Sequence, residues 1–205
     1  MSEVKLGEVK GVRTVRSQLT IKIAGGAIFG ALSAVVAFVL SPIINASKIS
    51  ALWGMALFDP TSWVWIICFL IFGPLAGVIS SVIGSFGLLI IDLNPIGPVF
   101  KITATLPLII IPTLILKLWE KNTINSKKLK DPKKYAVSGI VSIAVRIVVM
   151  LIFNIIYILV LYGGIELPFV IAVVLIINTY TSVFDLVVPY LLVFVPKLDE
   201  KFDFW

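Results

Sequence analysis

The stretch FGPLAGVISSVIG, residues 72–84, is mostly apolar, yet three glycines and one proline interrupt it. Glycine costs about 1 kcal/mol at each helix position relative to alanine, so a soluble core helix rarely carries this pattern. Gly73-Pro74 favours a tight turn. The segment after the turn has a face of small side chains, which lets membrane helices pack closely: Gly77, Ser80, Ser81, Gly84 and Ser85. We therefore predict a close hairpin between two membrane helices.

The composition of the whole chain agrees with a membrane protein. The 205 residues are 60% hydrophobic and 14% charged, with a mean hydropathy of +1.11, whereas a soluble domain averages about 45–50% apolar and about 25% charged. A bilayer core of about 30 Å needs about 20 apolar residues per helix. We predict an all-α integral membrane bundle of six transmembrane helices, from apolar runs at residues 23–40, 63–72, 75–91, 99–119, 135–162 and 168–195.

Basic residues alternate between the two ends of the predicted spans. Lysine and arginine are abundant before the first span, between the fourth and fifth, and after the sixth, whereas the opposite loops carry one base, Lys48. The positive-inside rule then places both termini in the cytoplasm, and we expect the protein in the plasma membrane. The predicted parts are a cytoplasmic N-terminal segment (1–22), a six-helix membrane domain (23–195) and a cytoplasmic tail (196–205). Because the bases cluster at membrane edges, we expect no nucleic acid partner.

The residue types that most enzymes need are scarce. The chain has no histidine and one cysteine, Cys68, which excludes an intrachain disulfide and a Cys/His zinc site. It has no ATP-binding loop of the GxxxxGK[ST] type, no HExxH and no GxSxG pattern. We therefore expect no catalytic residues, no metal and no cofactor, and interpret Cys68 as a small core residue.

Small residues recur every four positions in the first span, at Gly26, Ala27, Gly30, Ala31 and Ala34. Such a stripe lets a second helix approach closely. The pattern leaves two interpretations open, which are packing against the protein's own helices and docking to a partner subunit.

Two opposite charges fall at similar depth in the last two spans. Arg146 lies about 16 Å into the fifth span from the cytoplasmic side, and Asp185 lies about ten residues before the cytoplasmic end of the sixth. A charge in the membrane interior costs about 2.5–3.5 kcal/mol on insertion scales, so pairing is expected. We predict a buried Arg146–Asp185 ion pair that acts as a structural lock, the alternative being that one of the two contacts a substrate.

Other polar side chains lie in the predicted outer loops and outer half of the bundle, where they are candidates for lining an outward cavity. Lys101 is the strongest, because a lone lysine inside a span needs a partner, although it can also pair with Asp59 or Asp92 or reach the interface. The predicted substrate-binding residues are Asp59, Ser62, Trp63, Asn94, Lys101, Asn154, Tyr157, Glu166 and Asn178. Each taken alone is more often a satisfied packing or interface residue.

Aromatic side chains support two interpretations. Trp63, Tyr157 and Tyr162 are placed to stack on a flat ring. Tryptophans near span ends are also typical interfacial anchors, and four occupy such positions: Trp53, Trp63, Trp65 and Trp119.

With these motifs together, the sequence resembles the substrate-binding S component of energy-coupling factor (ECF) transporters, which import vitamins. The similar elements are AIFGALSAVVA in the first span, FDPTSWVWIICFLIFGPLAGVISSVIG through the second and third, and TSVFDLVVPYLL in the sixth. The riboflavin-binding branch is the most similar, because an acidic-x-x-Ser element precedes its Gly-Pro-x-x-Gly hairpin. The residues at those positions are Asp59, Ser62, Gly73, Pro74 and Gly77.

The resemblance implies a fold and a mechanism. A six-helix S component captures its substrate from outside and associates with a shared transmembrane coupling subunit and two cytoplasmic ATPases. An Ala-x-x-x-Ala motif in its first helix contacts the coupling subunit, and Ala27 and Ala31 match that motif here, beside Gly26 and Gly30. The sixth span departs from the branch, since Val183-Phe184-Asp185 stands where a Pro-Phe-Asn-like element is usual.

Three further functions belong to other classes. A structural six-span scaffold protein would lack a small-molecule pocket and would bind biosynthetic enzymes. An intramembrane enzyme has little support without histidine or a catalytic motif. A transporter acting alone would be supported by inverted repeats, and the two halves show no clear internal symmetry.

Overall fold

A computed structural model describes residues 3–49, 55–91, 95–119, 128–162 and 167–202. These ranges are almost entirely helical. The helices are α1 (Glu3–Ala46), α2 (Thr61–Phe72), α3 (Pro74–Ile91), α4 (Ile96–Trp119), α5 (Pro132–Tyr162), α6 (Leu167–Phe194) and α7 (Leu198–Phe202). Two short strands, β1 (Lys48–Ile49) and β2 (Met55–Ala56), pair antiparallel between α1 and α2.

Four helical segments within the described ranges are long and apolar enough to cross a membrane: Gln18–Ala46, Ile96–Trp119, Pro132–Val160 and Pro168–Phe194. The predicted helical membrane protein therefore agrees with the structure. The predicted second and third spans are the two shorter apolar helices, and α2, with 12 residues, is only about 18 Å long. The first helix starts earlier than the predicted span, because α1 is continuous from Glu3.

The short α2 lies at the centre of the bundle and packs against α1, α3, α4 and α6. Nine of its twelve residues are buried, which explains why its sequence is apolar on all sides rather than on one face. Phe69 and Leu70 join the main core with Leu108 and Ile109 of α4. Cys68 is fully buried in α2, as expected of a small core residue.

The hairpin predicted from FGPLAGVISSVIG is the connection between α2 and α3. Gly73 alone separates the two helices, and its φ of 96° lies in the left-handed region that favours glycine. Its N–H donates to the carbonyl of Phe69 at 2.9 Å. Pro74 is the first residue of α3, where its missing N–H costs nothing. Gly77 then allows close packing, since a Cβ there would lie 2.7 Å from the Phe69 Cβ.

A second glycine of the same stretch makes room for a buried hydrogen bond between α1 and α2. The Trp65 indole N–H donates to Ser33 Oγ at 2.8 Å, and a Cβ at Gly84 of α3 would overlap both side chains. Trp65 is fully buried, so its predicted role as an interfacial anchor is wrong. Its indole instead ties the central helix to α1, whereas Trp119 is 42% exposed.

The small-residue stripe of α1 divides between two faces. Gly26 and Gly30 are buried against α3, because Cβ atoms there would lie 2.9 Å and 2.7 Å from the Cβ atoms of Ile79 and Ile83. Ala34 lies against Gly87 of α3. These three positions therefore pack against the protein's own α3, which favours the first of the two interpretations for them. Ala27 is half-buried and Ala31 is exposed, so these two keep a face that another protein can reach.

Helix α7 closes the end of the bundle at which α2 ends, since it packs against α2 and α6. Lys130 contacts Glu200 of α7 at 2.5 Å. The hydrogen bond to Glu200, with the nearby Asp199 carboxylate, raises the pKa of this exposed lysine. Tyr190 donates to the carbonyl of Lys130 at 2.7 Å. These contacts join the start of α5 to the end of α6.

The division of the α1 stripe predicts different effects of the same substitution at neighbouring positions. We expect Gly30→Val to lower the free energy of unfolding by about 1–3 kcal/mol, because the new side chain overlaps Ile83 of α3. Ala31→Val is the matched control, since it adds a β-branched side chain at an exposed position. Thermal unfolding of both purified variants in detergent measures the effect. Equal melting temperatures would contradict the close α1–α3 contact.

Candidate functional site

A cavity of about 690 Å³ lies between the end of α1, the β1–β2 segment, the start of α2 and helices α4, α5 and α6. It reaches the end of the bundle where α1 ends and α4 begins, since Asn45 and Gly97 line it. Its polar and charged lining residues are Ser41, Asn45, Lys48, Asp59, Ser62, Lys101, Thr105, Arg146, Asn154, Tyr157, Asn178, Thr181 and Asp185. So large a polar cavity inside an apolar bundle is the leading candidate for a binding site.

The cavity wall includes the Arg146–Asp185 ion pair, which was predicted because the two charges lie at similar depth in their spans. Arg146 Nη1 donates to Asp185 Oδ2 at 2.6 Å, and the two residues are 5% and 4% exposed. Arg146 Nη2 also donates to Thr181 Oγ1 at 2.9 Å, and its Nε lies 3.4 Å from Asn178 Oδ1. The guanidinium therefore has partners along one face of α6. Because these hydrogen bonds and the ion pair satisfy the guanidinium, its charge can stay buried there.

The other carboxylate oxygen of Asp185 connects the pair to the central helix. Ser62, the second residue of α2, donates to Asp185 Oδ1 at 2.7 Å. Asp185 lies nine residues before Phe194, the end of α6, or about 14 Å along the helix axis. The N-terminus of α2 consequently begins inside the bundle rather than at its edge. Its positive dipole end favours the nearby carboxylate.

A second ion pair lies at the point where the chain enters α2. Lys101 of α4 contacts the Asp59 carboxylate, and its ammonium lies 5.8 Å from the Trp65 ring centroid. Asp59 Oδ1 also accepts from the Thr61 N–H at 3.1 Å. The prediction that Lys101 needs a partner in this region is therefore confirmed. The contact attaches the start of α2 to α4, as the Ser62 bond attaches it to α6.

The Asp59 carboxyl has a pKa below its ordinary value of 3.8. Burial alone would raise this pKa, but the positive charge of Lys101 and hydrogen bonds from Lys101 and Thr61 outweigh it. A lowered folded-state pKa contributes stability that is present above the unfolded value and is lost as the pH falls through the folded one. The Asp59 carboxyl is therefore ionised at neutral pH.

Two aromatic rings border the cavity between α4 and α5. Phe100 and Tyr157 meet edge to face with centroids 5.2 Å apart, and Phe153 packs on Phe100 at 6.0 Å. On their far side is an apolar groove of about 380 Å³. Phe100 and Tyr157 line both spaces and so form part of the wall between them. An aromatic wall beside polar groups suits a ligand that has a flat apolar part.

Six of the nine predicted substrate-binding residues line this cavity: Asp59, Ser62, Lys101, Asn154, Tyr157 and Asn178. Trp63 does not line it, since its ring packs against Phe58 at 5.6 Å. Its predicted role as a substrate contact therefore has no support from the cavity lining. Asn94 and Glu166, with Asp92 of the same loops, lie outside the described residues.

Sequence reasoning missed Thr181, which binds the buried arginine. A signal for it was available, because Asn178, Thr181 and Asp185 are spaced three and four residues apart and therefore share one helix face. The cavity contacts of Thr105 and Ser41 had no comparable signal. Each is a single small polar residue in an apolar run.

Comparisons with known proteins leave the site to be interpreted from its own chemistry. No family model matches the sequence, and no curated protein or solved structure shows significant similarity to it. In the described part of the chain, no group of three or more His, Cys, Asp or Glu side chains is placed to hold a metal ion. The site is therefore a cavity of paired charges, amides and hydroxyls.

The buried ion pair predicts strongly non-additive effects of substitution. We expect Asp185→Leu to cost about 3–5 kcal/mol of stability, because it leaves the buried Arg146 guanidinium without its counter-charge. The double substitution Arg146→Met with Asp185→Leu removes both charges and should cost less than Asp185→Leu alone. Thermal unfolding of the two variants measures this difference. A double variant that is less stable than the single one would contradict the account.

Proposed function

We propose that the protein is the membrane-embedded substrate-binding subunit of an ATP-driven ECF-type importer of a vitamin or related micronutrient. The observation that carries the proposal is the cavity of about 690 Å³ inside an apolar helical bundle, with polar side chains from α2, α4, α5 and α6 directed to one space. Ligand pockets typically measure about 300–1,000 Å³. A protein whose only task is scaffolding has no need to keep such a cavity open.

The proposed topology has six spans with both termini in the cytoplasm. Four helices are long enough to span by themselves. The short α2 completes a crossing together with the chain before it, residues 55–60, and α3 returns directly after Gly73. The cavity then opens on the side with few basic residues, which the positive-inside rule assigns to the exterior. An outward opening suits capture of a water-soluble compound from outside the cell.

The residues proposed to contact the substrate are polar side chains of the cavity wall, led by Lys101, Asn154 and Tyr157. Arg146 and Asp185 serve the site by holding α2, α5 and α6 together, since their charges are used on each other and on Ser62 and Thr181. Riboflavin-like compounds are the favoured substrates through the resemblance of the Asp59-x-x-Ser62 element and the hairpin.

Energy for import comes from partner subunits in this proposal, since the sequence has no ATP-binding loop of its own. The partners are a shared transmembrane coupling subunit and two cytoplasmic ATPases. The surface proposed for docking is the face of α1 with Ala27 and Ala31, because Gly26 and Gly30 are covered by α3. An exposed alanine with large apolar neighbours, Ile28 and Val35, offers a shallow groove to another membrane helix.

Binding by the isolated chain tests the proposal directly. We expect one member of a panel of water-soluble vitamins to raise the melting temperature of the purified protein, because a ligand that binds only the folded state stabilises it in proportion to RT ln(1 + [L]/Kd). At 100 times Kd the gain is about 2.7 kcal/mol. A folded protein that no vitamin stabilises, and that carries no small molecule from the cell, would contradict the proposed function.

A separate measurement tests the coupling surface. Ala31→Leu should abolish co-purification of the ATPase subunits with the tagged protein while ligand binding is retained, because the larger side chain fills the docking face of α1. Ala144→Leu is the matched control, since Ala144 is an exposed alanine on α5. If Ala31→Leu and Ala144→Leu retain the ATPases equally, α1 is not the coupling surface.

A further inference from the structure

Two polar atoms in the cavity wall have no hydrogen-bond partner among the described residues, Lys101 Nζ and Asn154 Oδ1, and only the lysine has an ion-pair contact. Asn154 of α5 is 1% exposed, and its Oδ1 lacks a donor. A buried amide oxygen without a partner is unfavourable, and native structures rarely retain one. Asn154 lines the cavity, so a molecule in that space can supply the missing donor.

The orientation of this amide is fixed by its other end. Asn154 Nδ2 donates to the carbonyl of Met150, one helical turn earlier, at 2.7 Å. Exchanging the amide oxygen and nitrogen would place two oxygens against each other, so the network assigns the oxygen as the unpartnered atom. The group that Asn154 offers to a ligand is therefore a hydrogen-bond acceptor.

The buried charges of the cavity wall are paired with each other. Among the described lining residues the acids are Asp59 and Asp185, and each contacts a base, Lys101 or Arg146. A third base, Lys48, is exposed at the end of the cavity and has an interaction partner of its own. A ligand that brings a net charge to the buried part would find both of its acids and both of its bases already in contact, and burying an uncompensated charge is costly. The wall therefore suits an uncharged molecule.

Resting on the proposed function, we infer that the cavity binds an uncharged polar molecule that donates an N–H or O–H hydrogen bond to Asn154 Oδ1. The rings of Phe100 on α4 and of Tyr157, three residues after Asn154 on α5, place an apolar surface beside this acceptor. A ring with an N–H group at its edge satisfies both features. Organic cations and phosphorylated compounds do not fit the wall.

Three matched compounds test the inference on the unmodified protein by isothermal titration calorimetry. Riboflavin is uncharged and carries a ring N–H, N3-methylriboflavin lacks that N–H, and riboflavin 5′-phosphate adds a dianion. We expect both derivatives to bind at least about tenfold more weakly than riboflavin. N3-methylriboflavin leaves the Asn154 acceptor without a donor, and riboflavin 5′-phosphate adds an uncompensated charge. Equal affinity for riboflavin and either derivative would overturn the inference and leave the proposed function standing.

Substitution of Asn154 gives the complementary result. We expect Asn154→Leu to bind riboflavin about tenfold or more weakly and to bind riboflavin and N3-methylriboflavin equally, because the acceptor that distinguishes them is gone. Thr113→Val is the control, since Thr113 also donates to a carbonyl four residues earlier, Ile109, but does not line the cavity. An Asn154→Leu protein that still prefers riboflavin would overturn the inference.

If riboflavin is not the ligand, the same inference is tested on whatever molecule mass spectrometry identifies in an extract of the purified protein. An uncharged molecule with an N–H or O–H group supports it when Asn154→Leu lowers its affinity and Thr113→Val does not. A cation, an anion or a molecule with no such donor overturns it while supporting the proposed function. A folded protein that binds no compound at all overturns both.

Discussion

The structure depends on one buried charge pair, Arg146 with Asp185, in the middle of an apolar bundle. Neither charge would be stable there alone, and each draws in further groups, since Thr181 accepts from the guanidinium and Ser62 donates to the carboxylate. The carboxylate thereby fixes the point at which α2 begins. A single set of polar contacts thus holds α2 at one depth with α5 and α6, which are distant from it in the sequence.

The cavity follows from this arrangement. Because α2 starts beside Asp185 and has only 12 residues, it fills one half of the bundle's length and leaves the other half open. The half that it fills is a dense core, made possible by glycines that let α1, α2 and α3 approach closely. The open half is bounded by the Asp59–Lys101 pair and the aromatic wall of α4 and α5. A rigid packed region thus supports a space that can accept a ligand.

The sequence was sufficient to predict the helices, the hairpin at Gly73 and the Arg146–Asp185 pair, because each depends on local pattern or on depth along a span. It was also sufficient to predict most of the polar cavity wall, because a polar residue in an apolar run is conspicuous. It failed where the direction of a side chain decides the outcome. Trp65 and Trp63 have similar sequence surroundings, yet Trp65 is fully buried and Trp63 packs against Phe58 and does not line the cavity. The stripe on α1 likewise required the position of α3 before its two faces could be separated.

If the cavity at the start of α2 is a binding site, a small molecule should occupy it. Measuring that occupancy tests the binding site most directly. Ala104 of α4 lines the cavity and is 6% exposed, so Ala104→Phe partly fills the space from one wall. Native mass spectrometry of the purified protein should show one small molecule bound to the unmodified chain and none, or far less, bound to Ala104→Phe. Absence of any bound molecule after incubation with the vitamin panel, or equal occupancy in the two proteins, would contradict the account.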